Sequence, residues 1–283
     1  MIKTLKHTLV PLRKLVYMLT GKKPWSYGYN DTRWANIAQS IRSNSLLADF
    51  NKGFIPQEFG IGFDERVVEY PWIFSKIKKD KSTFLDAGST FNFPEIISHH
   101  NLADETLTVF TYYPEPNNFC QKRVSYVYGD LREMPFPSAY FNQVVCQSTI
   151  EHVDMDNSIY GYELKKNENE AVKSYEYLKV VDELIRVLKP GGQLLLTFPY
   201  GKFENHGFFQ QFDSEMVNRM ALEMQKYGSF KDEYIAYYKN GWKFETAAVC
   251  KSFVSFNPHT GKGKSNDGAA HCRCVCCITF IKQ

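Results

Sequence analysis

The chain has 283 residues, 43% of them hydrophobic and 23% charged, with a formal net charge of +3. At this length about 75% of the unfolded surface is buried on folding, so a large core is available. That balance excludes global disorder, a collagen-like chain and a coiled coil. At about 150 residues per domain, the length suits one large domain or two small ones. A pI near 8.3 is too mild for a dedicated nucleic-acid binder, so no nucleic-acid partner is expected. Aromatic residues reach 16%, which suits a protein with a lined cleft. No run of about 18 apolar residues is present, so no membrane-spanning helix is expected. Seven cysteines without a repeated CxxC pair read as reduced thiols of a cytoplasmic protein.

Residues 1–23 carry Ile2, Leu5, Leu9, Leu12, Val16 and Leu19 near helical spacing, with Lys3, Lys6, Arg13, Lys14, Lys22 and Lys23. Arg13 and Lys14 interrupt the apolar run a signal peptide needs. Two readings stay open. One is a basic amphipathic helix, residues 1–20, lying on the anionic inner face of a membrane. The other is a helix packed on the protein with solvated lysines. Pro11 argues against a long regular helix. GKKPWSYGYN at 21–30 reads as a connector. Residues 31–50 predict one helix with Asp31 as N-cap and Trp34, Ile37 and Ile41 on one face. Residues 1–60 therefore read as a helical cap or lid, and 61–283 as the main domain.

That domain alternates strand and helix. Strands are predicted at 84–88, 107–112, 124–130, 142–148 and 193–200, and a short helix at 93–98. A longer helix carries Tyr177, Val181, Leu184, Ile185 and Leu188, and stops at Lys189-Pro190-Gly191-Gly192. Runs at 244–256 and 272–281 are expected to close the sheet. Insertions are expected near 154–176 and 201–240, and a mobile loop at 257–270. The fold class is α/β: a Rossmann-like, mostly parallel sheet with helices on both faces and an antiparallel closing strand. Such sheets bind ligands beyond the carboxyl ends of their strands. Asp86, Gly88, Thr111, Tyr112, Asp130, Gln147, Ser148 and Tyr200 fall at those ends.

Three segments resemble class I S-adenosylmethionine-dependent methyltransferases of the type 11 kind. FLDAGST (84–90) stands where that family has hhDhGxGxG. GDLREMPFPSAYFNQVVCQSTIEHV (129–153) and ELIRVLKPGGQLLLTFP (183–199) follow in the family's order and spacing. DMDNSIYGY after Glu151-His152-Val153 further resembles bacterial methyltransferases associated with surface-polysaccharide genes. The chain departs from the family at two points. Ser89 and Phe91 or Asn92 replace the second and third glycines, and Thr111 replaces the acid that grips the ribose. Thr111 and Glu115 are left to share that grip.

The resemblance implies S-adenosyl-L-methionine as cofactor, held by Asp86, Ala87, Gly88, Ser89, Thr111, Tyr112, Asp130, Leu131, Gln147 and Ser148. Asp86 would order the turn and meet the amino group, and Gly88 would let backbone approach the ligand. Asp130 would accept from the adenine amine, Leu131 would offer its amide, and Gln147 and Ser148 would face the sulfonium. His152 and His206 are the candidate bases. Tyr200, Phe203, Phe208, Phe209 and Phe212 are candidate acceptor walls. Cys272, Cys274 and Cys276 would share one face of the closing strand as buried thiols, with no metal bound.

The expected activity is O-methylation of a small-molecule or glycan hydroxyl. The alternative is a non-catalytic module whose altered glycine loop no longer takes the cofactor. A nicotinamide enzyme would need GxGxxG after the first strand, which is missing.

Overall fold

The computed structural model describes residues 9–79, 82–161 and 172–283. Ile2, Lys3, Leu5, Lys6 and part of the 154–176 insertion lie outside the described residues. The chain divides into two compact units. The first takes residues 1–76, 236–244 and 256–273, and the second takes 77–235, 245–255 and 274–283.

Among the described residues, four helices build the first unit: α1 (Val10–Leu19), α2 (Tyr29–Arg42), α3 (Asn44–Asn51) and α4 (Arg66–Phe74). Pro11 sits in the first turn of α1, where the missing amide costs no helical bond, so it starts the helix instead of spoiling it. Helix α2 begins two residues before Asp31, with Gly28 as its N-cap. Only glycine fits there: a Cβ at Gly28 would lie 2.0 Å from the Arg13 carbonyl oxygen. Asp31 is thus no cap; its carboxylate accepts from Arg13 Nε at 2.6 Å and Nη2 at 2.9 Å. The single helix expected over 31–50 breaks at Ser43, which turns extended and caps α3 by accepting from the Leu46 amide.

Helix α4 went unread in the sequence because every residue from Val67 to Phe74 is buried and no amphipathic period shows. Trp242 Nε1 donates to the Phe63 carbonyl, and the Tyr237 hydroxyl accepts from the Gly62 amide and donates to the Gly268 carbonyl. The 257–270 loop, expected to be mobile, is cross-tied. Asn257 Oδ1 accepts from the His259 and Thr260 amides, and Asp267 pairs with Arg273.

The second unit holds the sheet: β1 (Thr83–Ala87), β2 (Thr106–Thr111), β3 (Val124–Tyr128), β4 (Phe141–Gln147), β5 (Leu188–Pro199), β8 (Gly228–Tyr238) and β10 (Cys274–Lys282). A two-stranded hairpin, β6 (Glu204–Asn205) with β7 (Gln210–Gln211), lies between β5 and β8 in sequence. Strand β9 (Gly241–Glu245) follows β8. The order is β3-β2-β1-β4-β5-β10-β8-β9. The first five strands are parallel and β10 is antiparallel to β5, so the expected fold class holds. Their long apolar runs are what a sheet covered on both faces requires.

Three expectations need correction. Of residues 244–256 only Phe244 and Glu245, the end of β9, belong to the sheet; beyond them lies the short helix Ala247–Cys250, capped by the Thr246 side chain. The strands beyond β5 are β10, β8 and β9, and β8 falls inside the expected 201–240 insertion. Helix α6 (Tyr177–Val187), which follows the short α5 (Pro94–Ile97), ends before Lys189-Pro190-Gly191-Gly192. Those four residues loop out of the β4–β5 register, which passes from Phe141↔Leu188 to Gln143↔Gln193. The cation at the end of α6 is not Lys189, whose ammonium goes to Asn142 Oδ1. Lys282 of β10 donates to the carbonyls of Ile185 and Leu188 at 2.7 and 2.8 Å.

Candidate active site

Strand order reverses between β1 and β4, and the carboxyl ends of β1 to β4 define a crevice there. Asp86 ends β1 fully buried. Its Oδ1 accepts from the Thr90 amide (3.1 Å) and hydroxyl (3.2 Å), and its Oδ2 from the Phe91 amide (2.8 Å). Burial pushes its carboxyl up to about 7, against the pull of those bonds and with Glu115 adding a like charge.

Ala87 is buried at the end of β1, and the Gly88 amide donates to the Phe110 carbonyl. Gly88 has φ +121°, and a Cβ there would lie 2.1 Å from Thr149 Oγ1. What approaches this glycine is the Thr149 side chain. Gly88→Ala is therefore expected to destabilise the fold by about 1–3 kcal/mol from backbone strain, with overpacking added. Denaturant unfolding checks this, and Gly88→Ala/Thr149→Ala should recover the overpacking part alone.

Ser89 and Asn92 act together. Ser89, at φ +65°, donates from its hydroxyl to Glu115 Oε2 at 2.7 Å. Asn92 Nδ2 donates to the same oxygen at 2.8 Å and to the Asn117 carbonyl at 3.2 Å. Asn92 Oδ1 accepts from the Tyr126 hydroxyl, and Asn117 Nδ2 donates to the Asn92 carbonyl. The loop after β1 is thus latched to the loop after β2, and Glu115 is brought to the motif turn. Thr111 is buried at the end of β2, where its carbonyl accepts from the Gly129 amide.

Asp130 Oδ1 accepts from the Arg132 amide at 2.8 Å, and Oδ2 from Arg132 Nη2 at 2.6 Å. Arg132 Nη1 also reaches Glu176 Oε2 at 3.0 Å. Burial works to raise the Asp130 carboxyl, but Arg132 and the Tyr112 hydroxyl outweigh it and hold the carboxyl below its ordinary value. Burial, aided by Asp130, pushes the Tyr112 phenol up to about 12. Leu131 is buried beside them. Arg132 went unread in the sequence; its only signal is a place two residues after Asp130.

After β4, Gln147 and Ser148 are buried. Ser148 takes φ +38°, and its amide donates to the Thr197 carbonyl. Thr149 Oγ1 donates to the Gln147 carbonyl. Glu151 is buried, with Oε1 3.9 Å from His152 Nε2. His152 Nδ1 lies 2.7 Å from the Phe208 carbonyl oxygen, so Nδ1 carries the proton in the neutral ring. The ring lies against Phe208 and edge-on to Tyr160.

His206 is no solvated loop residue. It is buried in the β6–β7 hairpin and stacks on Phe209 at 4.4 Å. Phe209 also lies 6.3 Å from the His152 ring, so both candidate histidines meet at one phenylalanine. The other expected walls divide. Phe212 packs between Tyr177 and Phe198, and Tyr200 against Tyr234, which places both in the core. Phe203 lies beside the Lys173 ammonium.

Cys272 precedes β10 and donates its amide to Glu65 Oε2, so it does not share the strand face of Cys274 and Cys276. Among the described residues no group of three His, Cys, Asp or Glu side chains is arranged to hold a metal.

Residues 97–196 match the family described as "Methyltransferase domain". No curated protein matches the chain. Among solved structures, the Burkholderia thailandensis 1,6-didemethyltoxoflavin-N1-methyltransferase, bound to its substrate and S-adenosylhomocysteine, is 11% identical with a TM-score of 0.41. That alignment covers 71% of this chain and 72% of the other. A SAM-dependent methyltransferase of Methanosarcina mazei is 12% identical with a TM-score of 0.43, over 75% and 98% of the two chains. The N-methyltransferase NodS of Bradyrhizobium japonicum is 13% identical with a TM-score of 0.36, over 71% and 86%.

Residues 97–196 thus resemble a methyltransferase domain, and S-adenosylmethionine is the cofactor such a domain uses. The donor set fits it. Carboxylates at the end of β1 (Asp86), after β2 (Glu115) and after β3 (Asp130) suit a ligand with two cationic centres, a diol and an exocyclic amine.

Proposed function

We propose that the chain is an S-adenosylmethionine-dependent methyltransferase that methylates a hydroxyl oxygen of a small molecule or glycan, with His152 as the base. The observation that carries this reading is the His152 Nδ1 contact with the Phe208 carbonyl, which sets the ring lone pair on Nε2. The cofactor, when bound, supplies a methyl carbon already activated on a sulfonium. The protein's tasks are to align, to exclude water and to move one proton. Asp86, with Ala87, Gly88 and Ser89, orders the turn that meets the amino-acid end. Glu115 takes the ribose diol that Thr111 alone does not grip. Asp130, steadied by Arg132 and Tyr112, receives the adenine amine beside Leu131. Gln147 and Ser148 face the reacting centre. His152 Nε2 would take the proton that the acceptor hydroxyl loses, and buried Glu151 would steady the resulting imidazolium. His206 stacks behind Phe209 and positions that wall.

Calorimetric titration with S-adenosylmethionine and S-adenosylhomocysteine tests the reading, with micromolar binding expected. A second reading has one observation in its favour: Thr149 occupies the space that Gly88 opens. On that reading the unit is a non-catalytic binding module, and both titrations would be flat.

The glycan class is supported by the DMDNSIYGY resemblance, and a cytoplasmic place at the membrane's inner face by α1. No helix among the described residues is long and apolar enough to cross a membrane. Helix α1 instead turns its apolar side outward: Leu12, Leu15 and Leu19 are 52%, 55% and 77% exposed. Lys and Arg occur six times before Asp31, and no Asp or Glu does. An outward apolar stripe in a purely basic segment suits an anionic bilayer surface. Leu12→Ser/Leu15→Ser/Leu19→Ser is expected to abolish co-sedimentation with anionic vesicles and to leave cofactor affinity unchanged. Deleting residues 1–20 is a poorer test, because it removes wholly buried Tyr17 and the Arg13–Asp31 pair.

A further inference from the structure

The first unit contains a cavity of about 350 Å³ between α2, α3 and the loop at 53–60. Its wall on α2 is Asn36, Gln39 and Ser40, residues at i, i+3 and i+4, continued by Ser43 at the break between α2 and α3. That is one continuous helical stripe, and it is entirely polar. A stripe turned toward a neighbouring helix is apolar when packing is its only task, as Ile37 and Ile41 are on another side of α2. Solvation does not account for it either. Ser40 is buried, and Asn36 Oδ1 is buried with no hydrogen-bond partner among the described residues. A buried amide oxygen left unmatched costs free energy that a donor arriving with a ligand would recover.

From α3 comes the Asp49 carboxylate, and from the loop the half-exposed ring of Phe59. No Lys, Arg or His lines the cavity. That argues against phosphate, sulfate and carboxylate ligands, which need cationic partners. What the wall asks for is a neutral molecule. It must donate hydroxyl protons to Asn36 Oδ1 and Asp49, accept from the amides and serines, and lay a C–H face on an aromatic ring.

We infer that this cavity binds an uncharged sugar residue. The inference deepens the glycan reading given under Proposed function, and its test requires neither cofactor nor methyl transfer. The full chain is titrated with glucose, galactose, N-acetylglucosamine and their disaccharides, with glucuronate as the charged control, and read by saturation-transfer NMR. Saturable millimolar binding of at least one neutral sugar is expected, with glucuronate weaker. Asn36→Leu and Asp49→Leu should each weaken it by about tenfold. Should Asn36→Leu melt early, Gln39→Ala at the exposed rim gives the same readout. Absence of saturable binding by every neutral sugar overturns the inference, as does equal binding of glucuronate or unchanged binding in the variants. Sugar binding in a protein that takes no S-adenosylhomocysteine would keep the cavity and sink the methyl-transfer reading. The reverse result would sink the cavity alone.

Discussion

Replacing His152 by alanine is expected to lower turnover by about 10²–10⁴-fold, the usual worth of a positioned general base. The fall should appear in kcat, because the proposed role sets the imidazole on the acceptor proton and not on the cofactor. S-adenosylhomocysteine affinity should therefore stay within about threefold of wild type, well under the tenfold that one lost charge-assisted bond would give. Turnover is followed as S-adenosylhomocysteine formed with an acceptor found by screening hydroxyl compounds and neutral glycans. A readout independent of activity also exists. The Phe208 carbonyl at 2.7 Å fixes the neutral ring with its proton on Nδ1, which nitrogen-15 chemical shifts report directly. An Nε2-protonated ring in the free protein would remove His152 from the role of base.

Asp86→Ala should weaken S-adenosylhomocysteine binding by more than tenfold. It removes the carboxylate proposed to meet the cofactor and also releases the Thr90 and Phe91 donors that shape the loop. Each charge-assisted bond of this kind is worth about 1.5–3 kcal/mol. Asp130→Ala should show a smaller loss, since Arg132 keeps Glu176 as a partner. Wild-type affinity should also depend on pH. With the Asp86 carboxyl pushed up to about 7, lowering pH through that value neutralises it and should reduce affinity. Stability of the unliganded protein should move the other way. A folded value above the free value of 3.8 favours the protonated form in the fold. That contribution is full below 3.8 and lost as pH rises through about 7. Calorimetry at several pH values, set beside unfolding of the unliganded protein, separates the two slopes. An affinity independent of pH between 5 and 8 would show that Asp86 does not meet the cofactor.

The parallel strands were legible because a strand covered on both faces carries adjacent apolar residues, as Val144-Val145-Cys146 of β4 and Leu194-Leu195-Leu196 of β5 do. The places of Asp86, Asp130 and the Gln147-Ser148 pair at the strand tips were legible because they stand where such runs stop. What stayed hidden depends on partners distant in sequence. Ser89 and Asn92 look like losses until Glu115 is seen accepting from both. Gly88 looks like a gap for a ligand until Thr149 is seen in front of it. Asp31 has the chemistry of a cap, yet Arg13 claims it. Lys189 has the expected charge for the end of α6, yet Lys282 reaches the carbonyls. Helix α4 is too uniformly buried to show a period, and α3 separates from α2 only through the backbone of Ser43.

The place of β10 in the sheet has a bearing on how the second unit assembles. This strand follows β8 in the chain yet lies between β5 and β8, pairing with β5 from Val275↔Pro199 to Ile281↔Gln193. Until it arrives, β5 and β8 each present an open row of amides and carbonyls, and the end of α6 lacks its ammonium from Lys282. A partly folded chain at that stage offers two adhesive edges to any neighbour. Closing the gap requires pairing across a long stretch of sequence, which is slow. Refolding yield should therefore fall as protein concentration rises, and a substitution that weakens the β5–β10 seam should show first as aggregate, before any change at the strand tips.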